Sequence, residues 1–194
     1  EHLPRLRQMW AALVTGIDDS MGEIMDRLQQ RRLIDNTLIF FASDNGAPDK
    51  SPRAEGGGSN APYREYKRSL FEGGIRVPGF VTWPVVVPAK TVCDQPVIGM
   101  DIFATAAEAM GAPVPRDRTI DGRSWYPLFK DPNQPVHESL FFEWQEQRAV
   151  RHGRWKFVEN GLFDQHIDRH NRATGENVLY LADVEADPGE QKNV

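Results

Sequence analysis

Cysteine is nearly absent from this chain. Cys93 is the single one, so no intrachain disulfide can staple the fold and the redox compartment stays open. No apolar run approaches the roughly 20 residues that a membrane-spanning helix needs. A basic excess is also lacking: 23 Lys and Arg stand against 28 Asp and Glu, a net charge of −5. That balance argues against a nucleic-acid or other polyanion-binding surface, although Lys67-Arg68 and the stretch from Arg148 to Lys156 concentrate positive charge locally. No internal repeat is present. The first residue, Glu1, is not Met, so the chain is expected to begin inside a longer gene product, and a missing signal peptide says nothing about destination.

What is present suffices for a packed core: 194 residues of ordinary apolar and charged content. Leu6, Met9, Trp10, Leu13, Ile17, Met21, Ile24, Met25 and Leu28 recur at helical spacing, which predicts one long amphipathic helix started by Pro4. Asp35-Asn36 marks a turn. Thr37 to Ser43 then reads as a strand covered on both faces, as in an α/β sheet. The segment from Gly46 to Pro62 is too rich in Gly and Pro to build a core and predicts a long functional loop. A strand at Gly79 to Trp83, a helix at Asp101 to Met110 capped by Gly111, a turn at Asp121-Gly122-Arg123 and one helical turn at Trp125 to Phe129 follow.

After Asp131-Pro132 the pattern changes to short strands near Leu140–Trp144, Arg148–Arg151, Trp155–Val158 and Val178–Leu181, with Gly153-Arg154 as a hairpin turn. The fold class expected is α/β: residues 1–135 form the back of an α/β domain and residues 136–194 a small antiparallel subdomain. Trp125, Trp144 and Trp155 are expected in the core, and Cys93 as a half-buried packing residue. His166 and His170 have chelating spacing, but their polar surroundings favour a solvated loop.

Chemistry concentrates at two places. Ser43-Asp44-Asn45-Gly46 ends the apolar strand, and Lys67 follows the glycine-rich loop, just before Glu72-Gly73-Gly74-Ile75-Arg76-Val77-Pro78. A carboxylate and an amide oxygen, with a lysine returned toward them, suit a cation and a bound oxyanion. Read alone, Asp-Asn-Gly is also an ordinary strand-ending turn, and Lys67 an ordinary surface lysine. Glu72 and Arg76 read as a local structural ion pair, and Gly73-Gly74 as a close backbone turn. Arg68 and the segment Tyr63-Arg64-Glu65-Tyr66 read as candidates for a substrate rim.

These landmarks occur in order, together with Gly16-Ile17-Asp18-Asp19-Ser20-Met21-Gly22, Asp101-Ile102-Phe103 and Leu181 to Asn193. The chain resembles the C-terminal half of a formylglycine-dependent sulfatase of the arylsulfatase and N-acetylgalactosamine-6-sulfatase type, in the alkaline phosphatase superfamily. The resemblance implies that Asp44 and Asn45 are two ligands of an active-site Ca²⁺, with Mg²⁺ as the alternative. It implies that Lys67 is both catalytic and substrate-binding, contacting the sulfate and its bridging oxygen. It implies a sulfate ester substrate, with carbohydrate esters as candidates. The remaining metal ligands and the formylglycine are expected before Glu1, because no Cys or Ser here stands in a Cys/Ser-x-Pro-x-Arg setting; Cys93-Asp94-Gln95-Pro96 places its proline one position late. This chain alone is therefore expected to be inactive, and to self-associate or require its missing half. Two alternatives stay open: a phosphate or phosphonate ester hydrolase of the same architecture, and a non-catalytic binding or assembly module.

Overall fold

The first helix ends where its backbone turns left-handed. In the computed structural model, which describes residues 5–48, 58–161 and 178–194, helix α1 spans Arg5–Gln30. Arg32 takes φ +56°, with Arg32 N–H donating to Gln29 O at 2.9 Å and Leu33 N–H to Leu28 O at 2.9 Å. This closing pattern satisfies carbonyls that the last turn would otherwise leave bare. The apolar stripe is real, but Met9, Leu13, Val14, Ile17 and Ile24 are each more than half exposed.

The chain divides into two compact units. One comprises Glu1–Ile24, Ala42–Gly79 and Phe141–Val194; the other comprises Met25–Phe41 and Phe80–Leu140. Strand β1 (Ile39–Ala42) and strand β2 (Gly79–Thr82), each with all but one residue in the second unit, are neighbours in a two-stranded sheet. The expectation of a strand covered on both faces fails here, since β1 is only half-buried. Among the described residues no packed layers close over both faces of this sheet, which full burial of a strand requires.

Aromatic contacts hold this unit. Trp83 and Phe129 meet edge-on at 6.4 Å, Tyr126 and Phe129 at 5.4 Å, and Trp125 leans on Phe40 at 5.5 Å. Helix α3 (Asp101–Ala109) buries Ala104, Thr105 and Ala107. It closes as the sequence predicts: Gly111 sits at φ +65°, and the Gly111 and Ala112 amides return to Glu108 O and Ala107 O. Asp121-Gly122-Arg123 forms no turn. Instead the Arg123 amide is held by the buried Asp101 carboxylate at 2.8 Å, which also accepts from Ile98 N–H and meets His137 Nε2 at 2.8 Å. Cys93 is exposed rather than half-buried, its thiol donating to Pro132 O.

In the first unit a four-stranded sheet runs in the order β3 (Ser139–Trp144), β4 (Gln147–His152), β5 (Trp155–Glu159), β6 (Leu179–Asp183). β4 and β5 pair antiparallel with His152 opposite Trp155, around Gly153 at φ +55°. β5 and β6 are also antiparallel, with Lys156 opposite Ala182. Alternate residues face the core: Ala149, Val158, Tyr180 and Ala182 pack on Leu70 and Phe71. The register of β5 turns Lys156 inward and leaves Trp155 43% exposed, so the tryptophans of this sheet are not core. Trp144 is exposed as well. The His166–His170 pair lies outside the described residues.

Candidate active site

After β1 the chain is fastened by backbone hydrogen bonds and by the side chain of Asn60. Ser43 N–H donates to Pro78 O at 3.1 Å, and Gly46 N–H to Gly74 O at 2.9 Å. Ala47 is the junction: its carbonyl accepts from Lys67 N–H at 3.0 Å and from Asn60 Nδ2 at 2.9 Å, while its amide donates to Asn60 Oδ1 at 2.7 Å. Lys67 is therefore tied two residues beyond Asn45, despite the long loop between them. Sequence reasoning missed Asn60; its only signal was a lone amide in a glycine-rich stretch.

The glycines make that approach possible. A Cβ on Gly46 would run into the Gly73 carbonyl, one on Gly73 into the Arg64 and Glu65 carbonyls, and one on Gly74 into the Ser69 carbonyl. A close backbone turn was the sequence expectation for Gly73-Gly74, and these crossings are its physical basis. The short helix α2 (Glu72–Ile75) begins there.

Lys67 and Arg68 occupy the corners of a tight turn closed by Ser69 N–H to Tyr66 O at 2.9 Å. Arg68 has φ +82°, the value of a type II turn at a position that favours glycine. Both side chains line a cleft of about 1230 Å³ that is also bordered by Asp44, Asn45, Tyr63, Tyr66, Trp10 and Val14. Asp44, Asn45 and Lys67 are thus brought to one cavity. Asn45 Nδ2 donates to Gly46 O at 3.1 Å, which leaves its Oδ1 without a partner among the described residues. Asp44 and Lys67 are exposed and make no side-chain hydrogen bond or ion pair among the described residues.

The segment after Lys67 also enters a buried charge cluster that the sequence did not reveal. Lys156, fully buried, places Nζ 2.8 Å from Glu72 Oε1 and 3.3 Å from Glu190 Oε1. Glu190 Oε2 accepts the Glu72 amide at 2.6 Å. Arg76 and Arg151 approach Glu72 Oε2 at 3.4 and 3.8 Å, so the local Glu72–Arg76 pair exists inside a larger network. Burial pushes the Glu72 carboxyl up, but Lys156, Arg151 and Arg76 together outweigh it and hold Glu72 below its ordinary range. Burial dominates at Glu190, which is pushed up in spite of Lys156.

Arg64, Arg148 and Arg154 are likewise paired within the fold. Arg64 leaves the expected rim: it donates to Tyr180 Oη and Glu190 O at 2.8 and 2.7 Å and stacks over Phe71. Arg148 pairs with Glu143 and Glu159, and Arg154 with Asp183. The charge from Arg148 to Lys156 is therefore internally neutralised rather than an open basic site.

A loop–turn–helix unit of this kind, carrying Asp44, Asn45 and Lys67 over a small antiparallel sheet, has relatives. The profile described as Sulfatase matches residues 5–112, and that described as N-sulphoglucosamine sulphohydrolase, C-terminal, matches residues 63–194. The chain belongs to the sulfatase family. It is similar to steryl-sulfatase of Homo sapiens, 46% identical over 132 residues, covering 66% of this chain and 23% of that protein. It is also similar to N-acetylgalactosamine-6-sulfatase of Homo sapiens, 43% identical over 121 residues, covering 62% of this chain and 23% of that protein. Among solved structures, Ps i-CgsB superposes with a TM-score of 0.81 at 28% identity, covering 98% of this chain and 39% of that one.

This sulfatase chain thus spans about a quarter of the length of these curated relatives. The α/β class with a small antiparallel sheet is that of its structural neighbours. No described helix is long and apolar enough to cross a membrane. Among the described residues no three His, Cys, Asp or Glu side chains gather as a metal site, and Asp44 with Asn45 offers two hard oxygens of the six or more that Ca²⁺ takes.

Proposed function

We propose that this chain supplies the cation-facing and ester-facing side of a sulfuric ester hydrolase whose nucleophile lies on another part of the polypeptide. Residues 1–135 serve as the C-terminal part of the catalytic domain and residues 136–194 as an antiparallel subdomain supporting it. The observation that carries the reading is the cleft shared by Asp44, Asn45 and Lys67, where the Asp44 carboxylate, Asn45 Oδ1 and the Lys67 ammonium have no partner among the described residues.

The donor set fits a hard divalent cation. The Asp44 carboxylate and Asn45 Oδ1 would hold Ca²⁺, and the bound ion would supply positive charge against the non-bridging sulfate oxygens. Lys67 presents three N–H donors on a compact charge. Aimed at the bridging oxygen, it binds the ester and stabilises the negative charge that grows there as the S–O bond breaks. Tyr63, Tyr66 and Trp10 give the cleft flat apolar walls, which suit a sugar or aryl leaving group. No Cys or Ser of the sequence stands in the nucleophile motif of the family, so this chain contributes binding and leaving-group stabilisation, not attack.

Calcium titration of the full-length enzyme tests the assignment. Asp44→Ala and Asn45→Ala should each weaken binding at least ~10-fold, given that even outer-sphere partners of metal ligands carry that much. Unchanged affinity in both variants overturns the ligand roles.

A further inference from the structure

We propose that Arg68 forms a second anion site beside Lys67, so that the preferred substrate is a sulfate ester carrying another acidic group, a sulfate or a carboxylate, near the scissile one. This deepens the reading of Lys67 as the sulfate-binding lysine and rests on it.

The arginines resolved around this site divide sharply. Arg64, Arg76, Arg148, Arg151 and Arg154 each have a carbonyl, hydroxyl or carboxylate partner. Arg68 is exposed on the cleft wall, and its guanidinium makes no hydrogen bond or ion pair among the described residues. A guanidinium at a cleft rim is a ready fork for a carboxylate or sulfate, which accept two parallel N–H bonds.

Its backbone explains why the position matters. With φ +82°, Arg68 holds a conformation that glycine adopts freely and residues with a Cβ rarely adopt. The conformation is enforced by Gln147 of β4, which is buried with only 5% of its surface exposed. Gln147 Nε2 donates to Arg68 O at 2.8 Å, and Gln147 Oε1 accepts Leu70 N–H at 3.1 Å. Ser69 Oγ fixes the next residue, donating to Gly161 O at 2.8 Å. The fold thus holds a strained arginine whose side chain gives the described fold nothing in return. A ligand accounts for both facts.

The turn also sets the spacing. Lys67 and Arg68 are its two central residues, and both line one cleft. One cation matches the scissile group, and its neighbour matches a second anion on the same or adjoining ring.

The test compares a disaccharide disulfate with its monosulfate counterpart in the full-length enzyme. Arg68→Gly removes the guanidinium and relieves the positive φ, so the fold is retained; thermal melting verifies this. Its selectivity, the kcat/KM ratio of disulfate to monosulfate, should fall about 10-fold, the worth of one charge-assisted contact, and Arg68→Lys should recover part of it. An unmoved ratio overturns the Arg68 assignment. Lys67→Ala run alongside separates the two readings: if it spares turnover of both esters, the sulfate-site reading fails and the second site with it. If it suppresses both while Arg68→Gly leaves the ratio unmoved, only the second site fails.

Discussion

Lys156 Nζ lies 2.8 Å from Glu72 Oε1 with both side chains out of water, joining the C-terminal sheet to the turn that follows Lys67. Glu72 heads α2, whose glycines cross the backbone of Gly46 and of the 64–69 segment. The segment that follows Lys67 is therefore tied to the C-terminal sheet through this buried pair. Removing one partner leaves the other charge buried and uncompensated, which costs far more than the intact pair contributes.

Lys156→Met should accordingly destabilise the full-length protein by about 3–5 kcal/mol. Urea unfolding followed by fluorescence measures this. A loss below about 1 kcal/mol, the size of an exposed pair, contradicts the role given to the cluster.

The two carboxylates should leave opposite marks on stability against pH. Glu72 is held below its ordinary 4.5 in the fold. Its contribution is present above 4.5 and is lost as pH falls through the depressed folded value. Glu190 is raised above 4.5, so its contribution is full below 4.5 and is lost as pH rises through the elevated folded value. Their joint contribution peaks near the ordinary carboxylate value. Glu190→Gln should flatten the limb above the peak and Glu72→Gln the limb below it, read from unfolding curves at stepped pH. Limbs that respond in the reverse order contradict the assigned shifts.

The apolar stripe of α1 predicts behaviour in solution. Leu13 and Val14 are 65% and 56% exposed, and Met9, Ile17 and Ile24 extend the same exposure. Expressed by itself, the 194-residue chain should self-associate through this surface, and Leu13→Glu with Ile17→Glu should shift it toward monomer. Sedimentation velocity distinguishes the outcomes; a monomer before substitution contradicts the expectation.

Elements set by local chemistry were legible in the sequence: the periodic first helix, the Gly111 cap, the Gly153 hairpin and the strands around it. The cleft trio was legible because Asp44-Asn45 and Lys67 stand in ordered motifs. The buried cluster was not. Lys156 sits between Trp155 and Phe157, and alternation by hydropathy would turn the two aromatics inward. The register instead turns Lys156 in, because Glu72 and Glu190, distant in the chain, wait there to pair with it. Gln147 escaped for the same reason, as its partners Arg68 and Leu70 lie on another segment. The full cover expected over β1 was missed because a strand's apolar run reports what it can bury, not which neighbours are present.

The most direct measurement is aryl sulfate turnover by the full-length enzyme with and without Lys67. The side chain is exposed and makes no ion pair among the described residues, so Lys67→Ala should shift stability by no more than about 0.5 kcal/mol. A preorganised charge at the leaving oxygen predicts that kcat falls about 10²–10³-fold in the same variant. A folded Lys67→Ala enzyme that turns over at the wild-type rate contradicts the account.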